Sequence, residues 1–348
     1  MLQNLSMENK KLKLSILDQS IVGPGMTAAE ALQQTVEMAQ LGEQWGYTRF
    51  WVSEHHNMTA IAGSAPELLM VKLADATHHI RIGSGGIMLP NHSALKMAEN
   101  FRLLEALFPG RIDMGIGRAP GGDRVTAYLL NPANDFSEDS YRQQLDYLQL
   151  FFSDTAGTEN GRILAIPQAA TAPQQWMLSS SGGSSTLASH YGMGLAVAKF
   201  INGNVTPDII TDYQANFKPS DQFPAPHAVL SIIVLCAATP QEAYQMRKVL
   251  DYRFIQMERG NFTSLSTYED IRNYEFSDME LLRLQANAGR VISGTPDIVK
   301  TELIKLADSF NVDEIVITTM AAFAERKQSF RLLAEAFELS QESAANRH

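Results

Sequence analysis

Short apolar runs alternate with longer amphipathic stretches along nearly the whole chain. Leu12 to Leu17 alternates at period two, the spacing of a half-buried strand, and Thr27 to Trp45 then carries apolar residues at helical spacing, with Gly46 where a helix should stop. Phe50-Trp51-Val52 predicts a second strand. Pro66 to Thr77 predicts a helix with proline near its start, and Ile80 to Met88 a glycine-interrupted strand. Ser93 opens the next helix, Arg111 to Gly117 reads as the fourth strand, Ser137 to Phe152 as a helix and Trp176 to Ser179 as the fifth strand. Helices at Ser184 to Tyr191, Pro207 to Phe217 and from Pro240 onward alternate with strands at Gly194 to Ala198 and Ala228 to Cys236.

The rhythm breaks from about 260 to 294, where the chain is polar and aromatic with a helical stretch near Leu281 to Val291. This segment reads as an insertion between the seventh and eighth strands. Pro296 to Phe310, Asp313 to Thr318 and Ser329 to Leu339 then supply a helix, the eighth strand and a closing helix, and Gln341 to His348 reads as a frayed tail. Strand and helix in strict alternation are the pattern of parallel strands joined by crossover helices. Eight strands is the count of a (β/α)8 TIM barrel, so the expected fold is one α/β barrel domain over residues 1–348. A doubly wound open sheet would carry a glycine-rich phosphate turn after the first strand, and the turn from Asp18 to Gly25 holds no GxGxxG.

Composition narrows the function. The formal net charge is −10, and no cluster of Lys and Arg suited to phosphate backbones breaks it, which argues against nucleic-acid binding and for a small molecule. Cys236 is the only cysteine, set in an apolar strand, so an intrachain disulfide and a cysteine-rich metal site are both excluded. No apolar run approaches the roughly 20 residues of a membrane span, and the N-terminus lacks the pattern of a signal peptide. A cytoplasmic protein without membrane association is expected.

A barrel of this kind builds its site at the C-terminal strand ends. Glu54, His55 and His56 follow the second strand, offering an acid and two imidazoles for acid–base work, a hydrogen-bonded structural pair or, less readily, zinc ligands. Gly83 to Pro90 ends the third strand. Its missing side chains at Gly85 and Gly86 would let a flat ring approach the backbone, although a strand bend needs glycine too. Gly117 and Arg118 end the fourth strand, where a guanidinium could clamp a phosphate or make a surface ion pair. Ser180, Ser181 and Ser184 lie where the fifth strand enters a helix, offering hydroxyls and free N–H groups to an anion. A flat phosphorylated mononucleotide fits this set, and composition and spacing do not choose among such ligands.

Trp51-Val52-Ser53-Glu54-His55-His56 and Ile82 to Pro90 resemble strand motifs of the bacterial-luciferase-like monooxygenases. So do Glu105 to Asp113 with Gly115-Ile116-Gly117-Arg118, Trp176 to Ser184, and the closing unit from Gly294 through Ile317. The similarity spans nearly the whole chain, and the order and spacing of the motifs carry it. It implies a TIM barrel that binds reduced FMN and uses O2 to oxygenate a small organic substrate, with a separate NAD(P)H-dependent flavin reductase as partner and a homodimer as assembly. It further implies His55 as the catalytic histidine with Glu54 as acidic neighbour, a cis peptide at Gly85-Gly86, and Arg118, Ser181 and Ser184 on phosphate positions. Gly117 replaces a cysteine of the luciferase catalytic subunit, so light emission is not expected. Alternatives are a deazaflavin (F420)-dependent oxidoreductase on the same barrel, a non-catalytic flavin-binding protein, and a metal-dependent hydrolase using Glu54, His55 and His56. The substrate is not encoded in any motif.

Overall fold

The structure is a computed structural model that describes residues 11–261 and 266–339; the tail beyond Leu339 lies outside the described residues. The chain begins β1 (Lys13–Asp18), α1 (Ala28–Gln44), β2 (Arg49–Val52), α2 (Pro66–Asp75), β3 (Arg81–Met88), α3 (Ala94–Leu107) and β4 (Ile112–Gly117). It continues through α4 (Arg124–Leu130), α5 (Glu138–Phe152), a small hairpin of β5 (Gly157–Thr158) and β6 (Gly161–Arg162), β7 (Gln174–Ser179), α6 (Gly183–Tyr191), β8 (Gly194–Ala198), α7 (Asp208–Asn216) and β9 (Ala228–Cys236). The last third holds α8 (Pro240–Glu258), α9 (Tyr268–Ile271), α10 (Asp278–Ala286), β10 (Val291–Gly294), α11 (Pro296–Phe310), β11 (Glu314–Thr318) and α12 (Phe323–Ala336).

Strands β1, β2, β3, β4, β7, β8, β9 and β11 pair in parallel in that order, and β11 returns to β1, which closes the eight-stranded barrel expected from the alternation. Strand periodicity sorts the two faces. Ile16, Phe50, Ile315 and Ile317 point outward into the layer packed under the helices. Their neighbours Leu17, Trp51 and Val316 point inward, where they meet Trp176, Ala196 and Val229 in a separate buried cluster. The two tryptophans fit because glycines stand opposite them: a Cβ on Gly83 would lie 2.6 Å from Trp51 Cδ1, and one on Gly194 2.4 Å from Trp176 Cε3.

Beneath this layer, at the strand starts, Arg49 donates to Glu314 Oε1 at 2.6 Å and to Asp113 Oδ2 at 2.8 Å, and Arg81 bonds the other oxygen of Asp113 at 2.7 Å. The Arg49 guanidinium also lies 4.6 Å from the Trp176 ring centre. Buried charges survive only when so paired. This network plugs the N-terminal end and leaves the C-terminal end as the open one.

One expectation fails between β9 and β11. The predicted helical stretch from Leu281 to Val291 is cut short: α10 ends at Ala286, a 3-10 turn covers Ala288–Arg290, and Val291 starts β10. Leu281, Leu282 and Leu284 do have helical spacing, but Gly289 approaches Gly203 so closely that a Cβ there would lie 2.6 Å from the Gly203 carbonyl oxygen. Gly289 lies in the 3-10 turn that separates α10 from β10. β10 then pairs with the upper half of β9, from Val291 opposite Ile233 to Gly294 opposite Cys236, on the side away from β11. The closing helix also begins earlier than Ser329, at Phe323. Among the described residues no helix is long and apolar enough to cross a membrane.

Candidate active site

A cavity of about 770 Å³ opens at the C-terminal end of the barrel, within the roughly 300–1,000 Å³ typical of small-molecule sites. Leu17, Trp51, Leu178 and Ala196 form its apolar lining from the strands, and Gln19, Ser53, His55, Gly85, Gly117 and Arg118 follow at or just past the ends of β1 to β4. Ser179, Ser180, Ser181 and Ser184 add the fifth barrel strand and the start of α6. Thus His55, Gly85, Gly117, Arg118, Ser180, Ser181 and Ser184, all singled out from sequence, line one space.

Glu54 and Gly86 do not line it. Past Val52 the chain still alternates sides, so Ser53 and His55 face the cavity and Glu54 and His56 face away. Glu54 is fully buried and accepts hydrogen bonds from His56 Nε2 at 2.8 Å, His92 Nε2 at 2.9 Å, Asn91 Nδ2 at 3.2 Å and the Met88 N–H at 2.9 Å. The Glu54 carboxylate bonds His92 and His56 rather than His55, and His55 Nδ1 has the Ser53 hydroxyl at 3.1 Å. Burial would raise the Glu54 pKa, but its bonds to His92 and His56 hold it below the ordinary value. Burial depresses the pKa of His55, which Glu54 offsets only partly. His55 is thus a neutral imidazole at neutral pH, able to accept a proton. The three residues do not converge as ligands, and among the described residues no group of three or more His, Cys, Asp or Glu is gathered to hold a metal.

Glycine shapes the β3 edge. The Gly85-Gly86 peptide is cis, as the resemblance implied. The register against β4 shifts between Ser84 and Ile87, so the strand also bulges there. Gly86 is packed against β4 and β7: a Cβ on it would lie 2.4 Å from Leu178 Cδ1.

The serine segment is held from several directions. Ser179 Oγ accepts from the Gly182 N–H at 3.3 Å, Asn202 Nδ2 donates to the Ser180 carbonyl at 2.9 Å, and Gly182 takes a φ of +90° just before α6. Glycine tolerates that conformation. Ser181, Ser184 and Arg118 line the same cavity, and β4 and β7, whose ends carry them, are neighbours in the barrel. Among the described residues no hydrogen bond or ion pair holds Arg118. An unpaired guanidinium in a cavity that serine hydroxyls also line suits an anion with several oxygens.

Sequence reading missed other lining residues: Gln19, Ser53, Phe200 and Ser231, and Arg124, Ala127 and Tyr128 of α4. Gln19 could have been found, since it follows the first strand as directly as the chosen residues follow theirs. α4 is a single short helix inside a loop and leaves no clear periodicity.

With this arrangement in view, comparison places the chain. Residues 12–310 match the luciferase-like monooxygenase family, and the chain belongs to it. It is 43% identical over 330 residues to the uncharacterized protein YwcH of Bacillus subtilis (strain 168), covering 94% of this chain and 99% of that one. It is 36% identical over 336 residues to the N-acetyl-S-alkylcysteine monooxygenase of the same organism, covering 93% and 98%. Among solved structures, apo-MsnO8 superposes with a TM-score of 0.84 at 34% identity, covering 95% of this chain and 99% of that one. Likeness in fold alone extends to the oxygenating constituent of 3,6-diketocamphane monooxygenase in complex with FMN, with a TM-score of 0.68 at 18% identity. It extends equally to an F420-dependent secondary alcohol dehydrogenase, with a TM-score of 0.63 at 14% identity. Family membership and the monooxygenase relatives support an oxidoreductase.

Proposed function

We propose that this protein is an FMN-dependent monooxygenase that uses reduced flavin and O2 to oxygenate a small organic substrate. The observation that carries the reading is a single cavity with an imidazole, a glycine edge and an unpaired anion cradle along its walls: His55, Gly85 with Gly117, and Arg118 with Ser180, Ser181 and Ser184. These residues suit the group they would hold. Gly85 and Gly117 put bare backbone on the cavity wall where a ring could rest, and the guanidinium and hydroxyls would take a terminal phosphate. When bound, reduced FMN supplies the electrons that activate O2. The chain's own part is to anchor the phosphate, seat the ring against β3 and β4, keep water away from it with Leu17, Trp51 and Leu178, and offer neutral His55 as a proton acceptor beside it.

Reducing power would come from a separate flavin reductase. In the same reading the protein forms a homodimer, for which the exposed apolar residues Leu68 on α2 and Leu103 and Leu107 on α3 provide surface. The test is an anaerobic titration of the protein with FMN under reducing conditions, followed by admission of air and a screen of candidate substrates with added reductase. Binding of FMN with substrate-dependent oxygen incorporation is expected. Absence of FMN binding, with tight binding of the deazaflavin instead, would move the protein to the F420-dependent class, and rapid NADH oxidation without a reductase would remove the two-component arrangement.

A further inference from the structure

Two arginines line the cavity, and the phosphate cradle accounts for only one. Arg118 stands at the end of β4 beside the serine segment of β7, and it lies near enough to Glu138 and Tyr141 on α5 to act on both electrostatically. Arg124 begins α4. The segment leading into it is tied to the loop that carries His55: the His56 N–H donates to the Gly121 carbonyl at 2.9 Å, and Asn57 Nδ2 donates to Asp123 Oδ2 at 3.0 Å. Asp123 then caps α4 through the Val125 and Thr126 N–H groups, both at 3.0 Å. Arg124, Ala127 and Tyr128, at helical spacing, face the cavity together.

The acids of the lining are bonded and its arginines are not. Asp135 and Glu138 also line the cavity, but Asp135 accepts from the Ser137 N–H at 2.9 Å and Glu138 is paired with Arg142 at 2.8 Å. Neither Arg118 nor Arg124 has a hydrogen bond or ion pair among the described residues. A cation in the first turn of a helix gains nothing from the helix dipole, which favours anions there. Helix stability therefore does not explain arginine at this position.

We infer that Arg124 binds the carboxylate of the substrate, so that the protein acts on small organic acids whose apolar portion lies toward Tyr128 and Phe200. This inference rests on the flavin reading of the same cavity. A guanidinium pairs with a carboxylate through two parallel hydrogen bonds, which would fix the orientation of the reacting atom relative to His55.

The experiment measures binding to the FMN-loaded protein from the perturbation of flavin absorbance. The probes are N-acetyl-S-methylcysteine, 3-(methylthio)propionate and octanoate, each paired with its neutral methyl ester. At least one acid is expected to bind roughly tenfold or more tightly than its ester. Arg124→Gln should abolish that preference, Arg124→Lys should restore part of it, and neither should change FMN affinity more than about threefold, whereas Arg118→Gln should weaken FMN. Equal affinity for every acid and ester, or a loss of FMN affinity in Arg124→Gln as large as in Arg118→Gln, would overturn the assignment and leave the flavin reading standing. Failure of the unaltered protein to bind FMN would overturn both.

Discussion

His92 Nε2 lies 2.9 Å from one carboxylate oxygen of Glu54 and 3.0 Å from the other, so the acid adjacent to His55 in sequence is paired in space with a residue from beyond β3. Burial would lower the His92 pKa, but the hydrogen bond and charge of Glu54 raise it above its ordinary 6.5. Burial would raise Glu54, and its hydrogen bonds lower it beneath its ordinary 4.5.

The signs define a stability window. A raised histidine contributes fully below its unfolded pKa, and the contribution is lost as pH rises through the folded value; a lowered carboxylate contributes above its unfolded pKa and loses the contribution as pH falls through the folded one. Both act together between about 4.5 and 6.5. Urea midpoints should therefore fall as pH is raised above neutrality. Glu54→Gln should flatten that fall and cost about 1–3 kcal/mol at pH 6, the usual range for unbalancing a buried hydrogen-bonded group. An unchanged alkaline slope in the variant would show that the pair does not couple to folding.

His55 points the other way, into the cavity. Its depressed pKa, set first by burial, keeps it neutral down to below its ordinary 6.5. If it accepts a proton during turnover, activity should decline only on the acid side of that value. His55→Ala should lower turnover by about 10²-fold or more, the scale of general acid–base catalysis, and leave the FMN dissociation constant within a few-fold. Turnover unaffected by the substitution would exclude His55 from the chemistry.

How far the sequence carried this reading depended on the range of the interaction involved. The barrel was legible because Leu17, Trp51 and Val316 alternate with outward neighbours, a local pattern visible without any contact. Residues at strand ends were legible for the same reason, and most of those chosen line the cavity. The partner of Glu54 was not legible because His92 stands 38 positions away, and adjacency to His55 says less than the alternation of sides. β10 went unread inside the insertion because its pairing with β9 is tertiary. Arg124 and Tyr128 were missed because α4 has only seven residues, too few to show a period above its loop.

Arg49 should prove the costliest single charge in the barrel to remove. It is the bidentate partner of fully buried Glu314, bonding Oε1 at 2.6 Å and Oε2 at 2.9 Å, while Asp113 also has Arg81. Arg49→Met would keep volume but leave the Glu314 carboxylate with only the Ser15 hydroxyl at 2.5 Å and His227 at 3.8 Å. Breaking one partner from a buried pair costs about 3–5 kcal/mol. The double variant Arg49→Met with Glu314→Gln should recover part of that loss in urea denaturation. A double variant less stable than Arg49→Met would show that Glu314 contributes through packing instead.

Gly86, packed behind the cavity wall, and Gly117, which lines it, should respond differently to alanine. At Gly86 a Cβ would meet Leu178 Cδ1 at 2.4 Å and the Gly115 carbonyl oxygen at 2.7 Å. The carbonyl belongs to a barrel strand and cannot retreat without disturbing β4. At Gly117 the nearest atoms are Met88 Sδ at 2.8 Å and Cε at 3.1 Å, the end of an unbranched side chain that can adopt another rotamer. Overpacking of a rigid core typically costs about 1–3 kcal/mol, so Gly86→Ala should lower thermal stability by an amount in that range. Gly117→Ala should fold with a cost below about 1 kcal/mol, yet because Gly117 and Met88 both line the cavity, the displaced methionine should weaken FMN binding. Calorimetry with FMN titration separates the two. Equal destabilisation by both alanines would mean that Met88 is as immobile as the strand behind Gly86.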